Sequence, residues 1–252
     1  MIPDKIKLVI VTLALSIAGC TEKDELTLPV TINLKIGIRK QEGSFGFNEG
    51  WIGVQRIQFG GKRESGGDVF FETDPSNNFP TLEFIEQYAK ISSFEIPQGI
   101  YTNMKWDIFL NKIETDEVTD YNDTDSLNAG LVIKGDYFYD DWWWWIDQPP
   151  PENWVPSIPF VLIIDSIEQF SFMSYFPDPN CNGVLTENKE YQVILLFNLF
   201  YAFDSISPES FEKAEISGDS LNQKVIISRN KNKYLYEIIL YRLATSSRVY
   251  VY

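Results

Sequence analysis

A mainly β chain, folded as an antiparallel β-sandwich with one or two short helices near its C-terminus, is what three features of the sequence predict. Short stretches alternate apolar and polar residues at a period of two, glycine- and proline-rich breaks separate those stretches, and helical signals concentrate near the C-terminus. The 252 residues are 44% hydrophobic and 15% aromatic, which is enough to bury a sizeable core.

The elements follow in order. Residues 31–38 alternate as a strand with one buried face does. Residues 51–59 repeat the pattern as a single strand, in which Ile52, Val54 and Ile57 require a bulge or a register change. The pairs Gly60-Gly61 and Gly66-Gly67 bracket a turn before a strand over 69–71. Residues 82–89 fit a helix and a strand equally. Residues 94–97 lead into a strand over 101–110, and 131–134 and 160–164 are further strand cores. Residues 170–175 and 191–197 are expected to face each other across a turn-rich segment. Ser207, Pro208 and Glu209 supply an N-cap, a first-turn proline and an early acid, so a short helix starts there and runs through Ala214. Asn230 or Asn232 caps a second helix with Leu235, Ile238, Ile239 and Leu243 at helical spacing, although 234–241 also reads as a β-rich run. Residues 248–252 alternate as a closing strand.

At the N-terminus, Lys5 and Lys7 precede an uncharged, mostly apolar run over 8–18. Its length suits a signal-peptide core and falls short of the ~20 residues a membrane-spanning helix needs. The run closes on Ser16-Ile17-Ala18-Gly19-Cys20, with small residues ahead of a lone early cysteine. This arrangement resembles the lipobox of bacterial lipoproteins. The resemblance implies cleavage before Cys20, a diacylglycerol thioether on its sulfur, further acylation by a chain such as palmitate, and a tether to the membrane. Several acyl chains make such an anchor effectively permanent. The alternatives are an ordinary secretory signal and a buried helix. The acidic cluster over 21–25 is similar to the export signal of Bacteroidetes-type surface lipoproteins, which implies the outer membrane and its outer face; a charged linker is the plain alternative. The chain then divides into a signal peptide (1–19), an acylated cysteine with an acidic linker (20–29), and a β-sandwich domain (30–252), with subdivision near 150 as the alternative.

Charge and composition exclude much. The formal net charge is −15, and loss of residues 1–19 removes two lysines and one aspartate, which makes it −16. Such an average repels nucleic acid and anionic membrane. With Cys20 taken by lipid, Cys181 has no partner and no disulfide framework supports the fold. The chain has no histidine, which removes Ser-His and Cys-His mechanisms and the usual zinc and copper sites. Catalysis would have to rest on carboxylates, as in glycoside hydrolysis.

Residues 94–106, Phe-Glu-Ile-Pro-Gln-Gly-Ile-Tyr-Thr-Asn-Met-Lys-Trp, contain the element apolar-Pro-x-Gly-x-Tyr-Thr. It resembles the strand-turn-strand unit of lipoproteins with prealbumin-like, or transthyretin-like, sandwiches. The resemblance covers about residues 30–200, implies a fold in which Trp106, Ile108 and Leu110 line a core strand, and carries no active site.

Two segments offer candidate sites. Trp142, Trp143, Trp144 and Trp145 follow Asp140 and Asp141 and precede three prolines and Trp154. In an extended chain alternate indoles point to opposite sides, so part of that surface needs cover by a loop, a partner or a ligand. Indoles stacking on sugar rings beside carboxylates that accept hydroxyls fit a glycan; a loop capping the core, or a protein partner, fits as well. Asp178, Asn180, Asn182 and Gly183 match the first half of a calcium loop, with Glu187 or Glu190 standing in for its closing glutamate; an Asn-Gly turn between strands is the alternative. The acidic stretch from Glu114 to Asp125 reads as a solvated loop. The expected function is therefore a non-catalytic, lipid-anchored lipoprotein that binds a ligand such as a glycan, with no cofactor unless calcium and no nucleic acid partner. An accessory subunit of an outer-membrane complex or a fimbria-like adhesin is the second reading, and a carboxylate-based hydrolase the third.

Overall fold

A computed structural model of the chain describes residues 27–39, 44–73, 81–83, 88–113, 128–138, 157–175, 183–204, 206–218 and 222–252. Among these the fold is mainly β, with three helices, all beyond residue 198. The strands are β1 (Pro29–Arg39), β2 (Phe45–Ile52), β3 (Val54–Arg63), β4 (Val69–Glu72), β5 (Leu82–Glu83), β6 (Ala89–Pro97), β7 (Gly99–Leu110), β8 (Ala129–Phe138), β9 (Ser157–Asp165), β10 (Gln169–Tyr175), β11 (Val184–Leu185), β12 (Glu190–Asn198), β13 (Ile216–Ser217), β14 (Lys224–Ile227) and β15 (Arg248–Val251). The helices are α1 (Leu199–Phe203), α2 (Pro208–Glu212) and α3 (Lys233–Ser246).

Two sheets result. The larger runs β4-β3-β7-β10-β15-β12-β1-β6, with β11 added beside β7; the smaller runs β13-β14-β9-β8-β2-β5. Most ladders are antiparallel as expected, but β1 with β12, β10 with β15, and β14 with β9 run parallel. The larger sheet curls. Only Gln98 separates β6 from β7, yet the two lie far apart along the strand order, so the ends of the path must approach each other. They do so where Phe71 of β4 stacks on Phe94 of β6, with ring centroids 3.9 Å apart and planes at 6°. Strand β10 carries the fold in the sheet, pairing with β7 over 169–173 and with β15 at 174–175.

One apolar core joins the inward residues of both sheets to the helices. Trp106, Phe59, Phe170 and Phe197 are fully buried within it, and Phe203 of α1 and Phe211 of α2 pack on Phe45 and Tyr137 of the smaller sheet. Trp106 places its indole N–H on Ser174 Oγ at 2.7 Å, so the one polar edge of the ring is satisfied. A second buried cluster lies on the other face of the smaller sheet: Trp51, Val132, Val161, Ile163 and Ile226, with Ile113 the member from outside its strands. Burial on both faces explains why 131–133, 160–164 and 225–227 are unbroken apolar runs instead of alternating ones.

The structure corrects several sequence expectations. Residues 51–59 form two strands in two sheets, separated at Gly53, not one bulged strand. Gly53 is the crossing point because its N–H reaches Gly130 O and its carbonyl receives Asn111 N–H, each at 2.9 Å, and a Cβ there would collide with the Asn111 carbonyl. Gly60 and Gly61 lie inside β3, so the turn is made by Gly66 and Gly67 alone, both at positive φ. Strands β10 and β12 do not face each other as a pair; β15 inserts between them. Helix α1 follows β12 directly with Asn198 as its cap and gives no separate signal in the sequence. Helix α2 starts as expected, with Ser207 Oγ accepting from Ser210 N–H at 3.2 Å. Helix α3 buries Leu235, Ile239 and Leu243, but Tyr236 takes the inward place expected of Ile238, which is exposed. Asn232 precedes α3 at φ 49°, in the left-handed region asparagine tolerates, and its side chain is tied to Glu215 and to Ile226 O instead of capping the helix.

The Pro-x-Gly-x-Tyr element has a clear mechanical role. Gly99 takes φ 145°, and Tyr101 folds back so that its hydroxyl donates to Pro97 O at 2.6 Å, a corner that pins the β6–β7 junction. Burial is the main cause that pushes the Tyr101 phenol up to about 12, with Arg63 opposing, and burial does the same for Tyr236.

Two outcomes test this account. Gly53→Ala is expected to destabilise the fold by about 1–3 kcal/mol through the collision with Asn111, whereas Gly60→Ala, where a Cβ meets nothing within 4 Å, is neutral or stabilising; urea unfolding of both variants checks the pair. Because Tyr101 and Tyr236 titrate near 12 in the folded chain and near 10 unfolded, their contribution is complete below about pH 10 and is lost as pH rises toward 12. Urea midpoints across that window should fall, and Tyr101→Phe should fall less steeply from a lower starting point.

Candidate functional site

The outer face of the larger sheet, between β10 and β6, brings together the most distinctive exposed side chains described. Strand alternation sets it up. Val249 and Val251 of β15 point into the core, so Arg248, Tyr250 and the following Tyr252 point out. The same parity places Tyr175, Ile194, Lys35 and Lys90 outward on their strands. The register then aligns them across five strands: Tyr175 beside Tyr250, Tyr250 beside Ile194, Ile194 beside Lys35, and Lys35 beside Lys90. At the strand spacing of ~4.8 Å this row is about 19 Å long.

The tyrosines form a platform. Tyr175 and Tyr250 meet edge to face with centroids 5.6 Å apart, and Tyr250 and Tyr252 lie nearly parallel, at 23° and 6.3 Å. Tyr88 adds a fourth ring, laid over Gly37 of β1, where the absence of a Cβ leaves the room it occupies. An aromatic covering a strand glycine restores lost packing, which is a structural reason for that pair. Tyr175, Tyr88 and Tyr252 nevertheless remain 54%, 54% and 59% exposed, so most of each ring is open to solvent. Partial burial first, then the neighbouring Tyr88 and Tyr250 hydroxyls, push the Tyr252 phenol up.

A polar border runs beside the rings. Ser93 Oγ donates to Asn33 Oδ1 at 2.9 Å and the Asn33 amide reaches Glu190 at 3.4 Å. Gln192, opposite Tyr252, has a buried Oε1 without a hydrogen-bond partner among the described residues. Lys35 and Lys90 stand directly opposite each other on β1 and β6, and among the described residues neither has a carboxylate partner. Elsewhere the structure engages carboxylates with cations or hydroxyls: Glu72 with Arg56, Glu49 with Lys134, Glu168 with Arg229, and Asp107 with Lys105 and Ser171.

Of the residues named from sequence, Glu190 lies on this face, where it accepts from the Asn33 amide. Cys20, Asp140, Asp141, Trp142, Trp143, Trp144, Trp145, Trp154, Asp178, Asn180 and Asn182 lie outside the described residues. The tryptophan-rich connection leaves β8 at Phe138 and enters β9 at Ser157, two residues paired side by side on the smaller sheet. Glu187 is described, in the turn before β12, where its N–H donates to Gln98 Oε1 at 3.0 Å. Gly183 has a structural reason of its own: it takes φ 76°, its carbonyl receives Tyr101 N–H at 2.8 Å, and a Cβ would strike the Tyr101 backbone. The tyrosine platform was missed from sequence, although its signal is present in the alternation Arg248-Val-Tyr-Val-Tyr252, whose outward parity is all polar or aromatic.

Comparison of the chain with protein-family models, with curated proteins and with solved structures found no match to any of them.

Proposed function

We propose that this chain is a lipid-anchored, extracytoplasmic, non-catalytic binding protein that holds a glycan on the outer face of its larger sheet. The observation that carries the reading is the tyrosine platform, with Tyr88, Tyr175 and Tyr252 exposed and Tyr250 half-buried between Tyr175 and Tyr252, bordered by the hydroxyl and amide groups of Ser93, Asn33 and Gln192. Flat aromatic faces match the apolar faces of sugar rings, and amides and hydroxyls match their hydroxyl groups. Rigid strands present the rings, which limits the ordering cost of binding. The anchor is supported by the segment ending in Cys20, and outer-membrane surface display by the acidic residues that follow it. The tryptophans over 142–145 and Trp154 remain a second aromatic surface for the same class of ligand.

A specific observation also favours the second reading, an accessory subunit that docks on protein. Tyr234, Ile238 and Tyr241 form an exposed stripe at helical spacing on α3, and Tyr201 of α1 lies beside it under Arg242.

The experiment is a titration of residues 27–252, which hold every described strand, helix and core residue, against a panel of polysaccharides, followed by intrinsic fluorescence. Tyr175→Ala and Tyr250→Ala are each expected to weaken binding at least tenfold, with a loss of about 0.5–1.5 kcal/mol of stability per broken ring pair beyond the lost burial. Loss of binding in Trp143→Ala and Trp144→Ala instead moves the site to the tryptophan segment. No binding to any member of the panel overturns the glycan reading. In the full chain, Cys20→Ser should abolish palmitate incorporation and release the protein from the membrane fraction.

A further inference from the structure

The geometry points to an acidic glycan as the ligand, with the Lys35–Lys90 pair as the subsite for its carboxylate or sulfate groups; this rests on the glycan reading above. Like charges directly opposed across a strand pair destabilise it. In a chain with 36 acidic and 21 basic residues, a neutralising carboxylate is the easiest partner to supply, yet neither lysine has one among the described residues. The described face carries Glu95 and Glu190, but both pair with Thr31, four residues or ~13 Å of strand from Lys35, and Glu190 is turned to the Asn33 amide. The lysines also sit at the end of the row that Tyr175 and Tyr250 begin. A chain of sugars lying along that row would stack one residue on the tyrosines and bring an anionic residue over two ammonium groups held on neighbouring strands. Each ammonium supplies three donors, and charge-assisted contacts to a carboxylate are stronger than those between neutral groups. The ~19 Å length of the row matches several sugar units and not a lone monosaccharide.

The test uses residues 27–252 and matched ligands that differ in their anionic groups: oligogalacturonate and its fully methyl-esterified form, and dextran sulfate and unsulfated dextran. The acidic member of at least one pair is expected to bind about tenfold more tightly than its neutral counterpart. Lys35→Gln with Lys90→Gln should erase that preference, bringing the affinity for the acidic member to that for the neutral one. Lys35→Glu, which replaces the repulsion by an ion pair with Lys90, should raise the melting temperature and abolish acidic binding together. Equal affinity for both members overturns the lysine subsite and leaves the glycan reading standing. A preference for the acid that survives both lysine variants also overturns the subsite. Binding to neither member of either pair overturns this inference, while the glycan reading stands or falls on the full polysaccharide panel.

Discussion

The insertion of β15 between β10 and β12 holds the larger sheet together. Without those few residues the sheet would be two pieces, β4-β3-β7-β10 on one side and β12-β1-β6 on the other, each with a long unpaired edge. Parallel to β10 at Ser174 and Tyr175 and antiparallel to β12 over 193–196, β15 joins the two pieces and places Val249 and Val251 in the common core. Helix α3 delivers it, since Ser247 ends the helix and β15 begins at the next residue. Ser247 is itself buried, with its hydroxyl on Leu243 O and accepting Asn198 N–H, so the end of α3, the end of β12 and the start of β15 share one joint. Because β15 is the last strand and β1 already waits for β12, the centre of the sheet assembles only from contacts distant in sequence.

The same insertion creates the tyrosine face. Tyr250 is the one ring that touches both Tyr175 and Tyr252, so the platform exists only where the last strand lies between its neighbours. Exposed aromatic surface and opposed lysines both cost stability, and the fold offsets them elsewhere with an unusually aromatic interior of Phe, Tyr and Trp contacts. Costs of that kind concentrate where a protein meets something else, which is the physical reason to look at this face rather than at the well-paired polar groups around Glu72 or Glu168.

Much of the fold was legible because alternation is a local signal. β1, β7 and β15 read correctly from period two, and α2 from its serine cap and first-turn proline. What was not legible depends on partners far away. Residues 51–59 look like one strand because nothing local says that Gly53 will be wedged between Gly130 and Asn111. β10 and β12 look like a hairpin because β15, which separates them, comes some fifty residues later. The apolar runs of β8, β9 and β14 announce burial on both faces, but not which sheet they share. As for the site, the tryptophans over 142–145 stand out in the sequence because they are consecutive, whereas Tyr88, Tyr175, Tyr250 and Tyr252 become neighbours only through the fold.

Net charge and the local charges of this face act on different length scales. A chain at −15 repels anions on average, and that average argues against any acidic ligand. Charges act individually within a Debye length, however, which is about 8 Å at physiological ionic strength. Opposed positions on neighbouring strands place Cβ atoms about 5 Å apart, so Lys35 and Lys90 act together, while carboxylates much further along the strands are screened. The two scales oppose each other: low salt exposes an approaching anion to the repulsion of the whole chain, and high salt weakens the lysine contacts themselves. An acidic glycan held at this pair would therefore bind best at intermediate ionic strength, unlike a ligand of a uniformly basic surface, whose affinity only falls as salt is added.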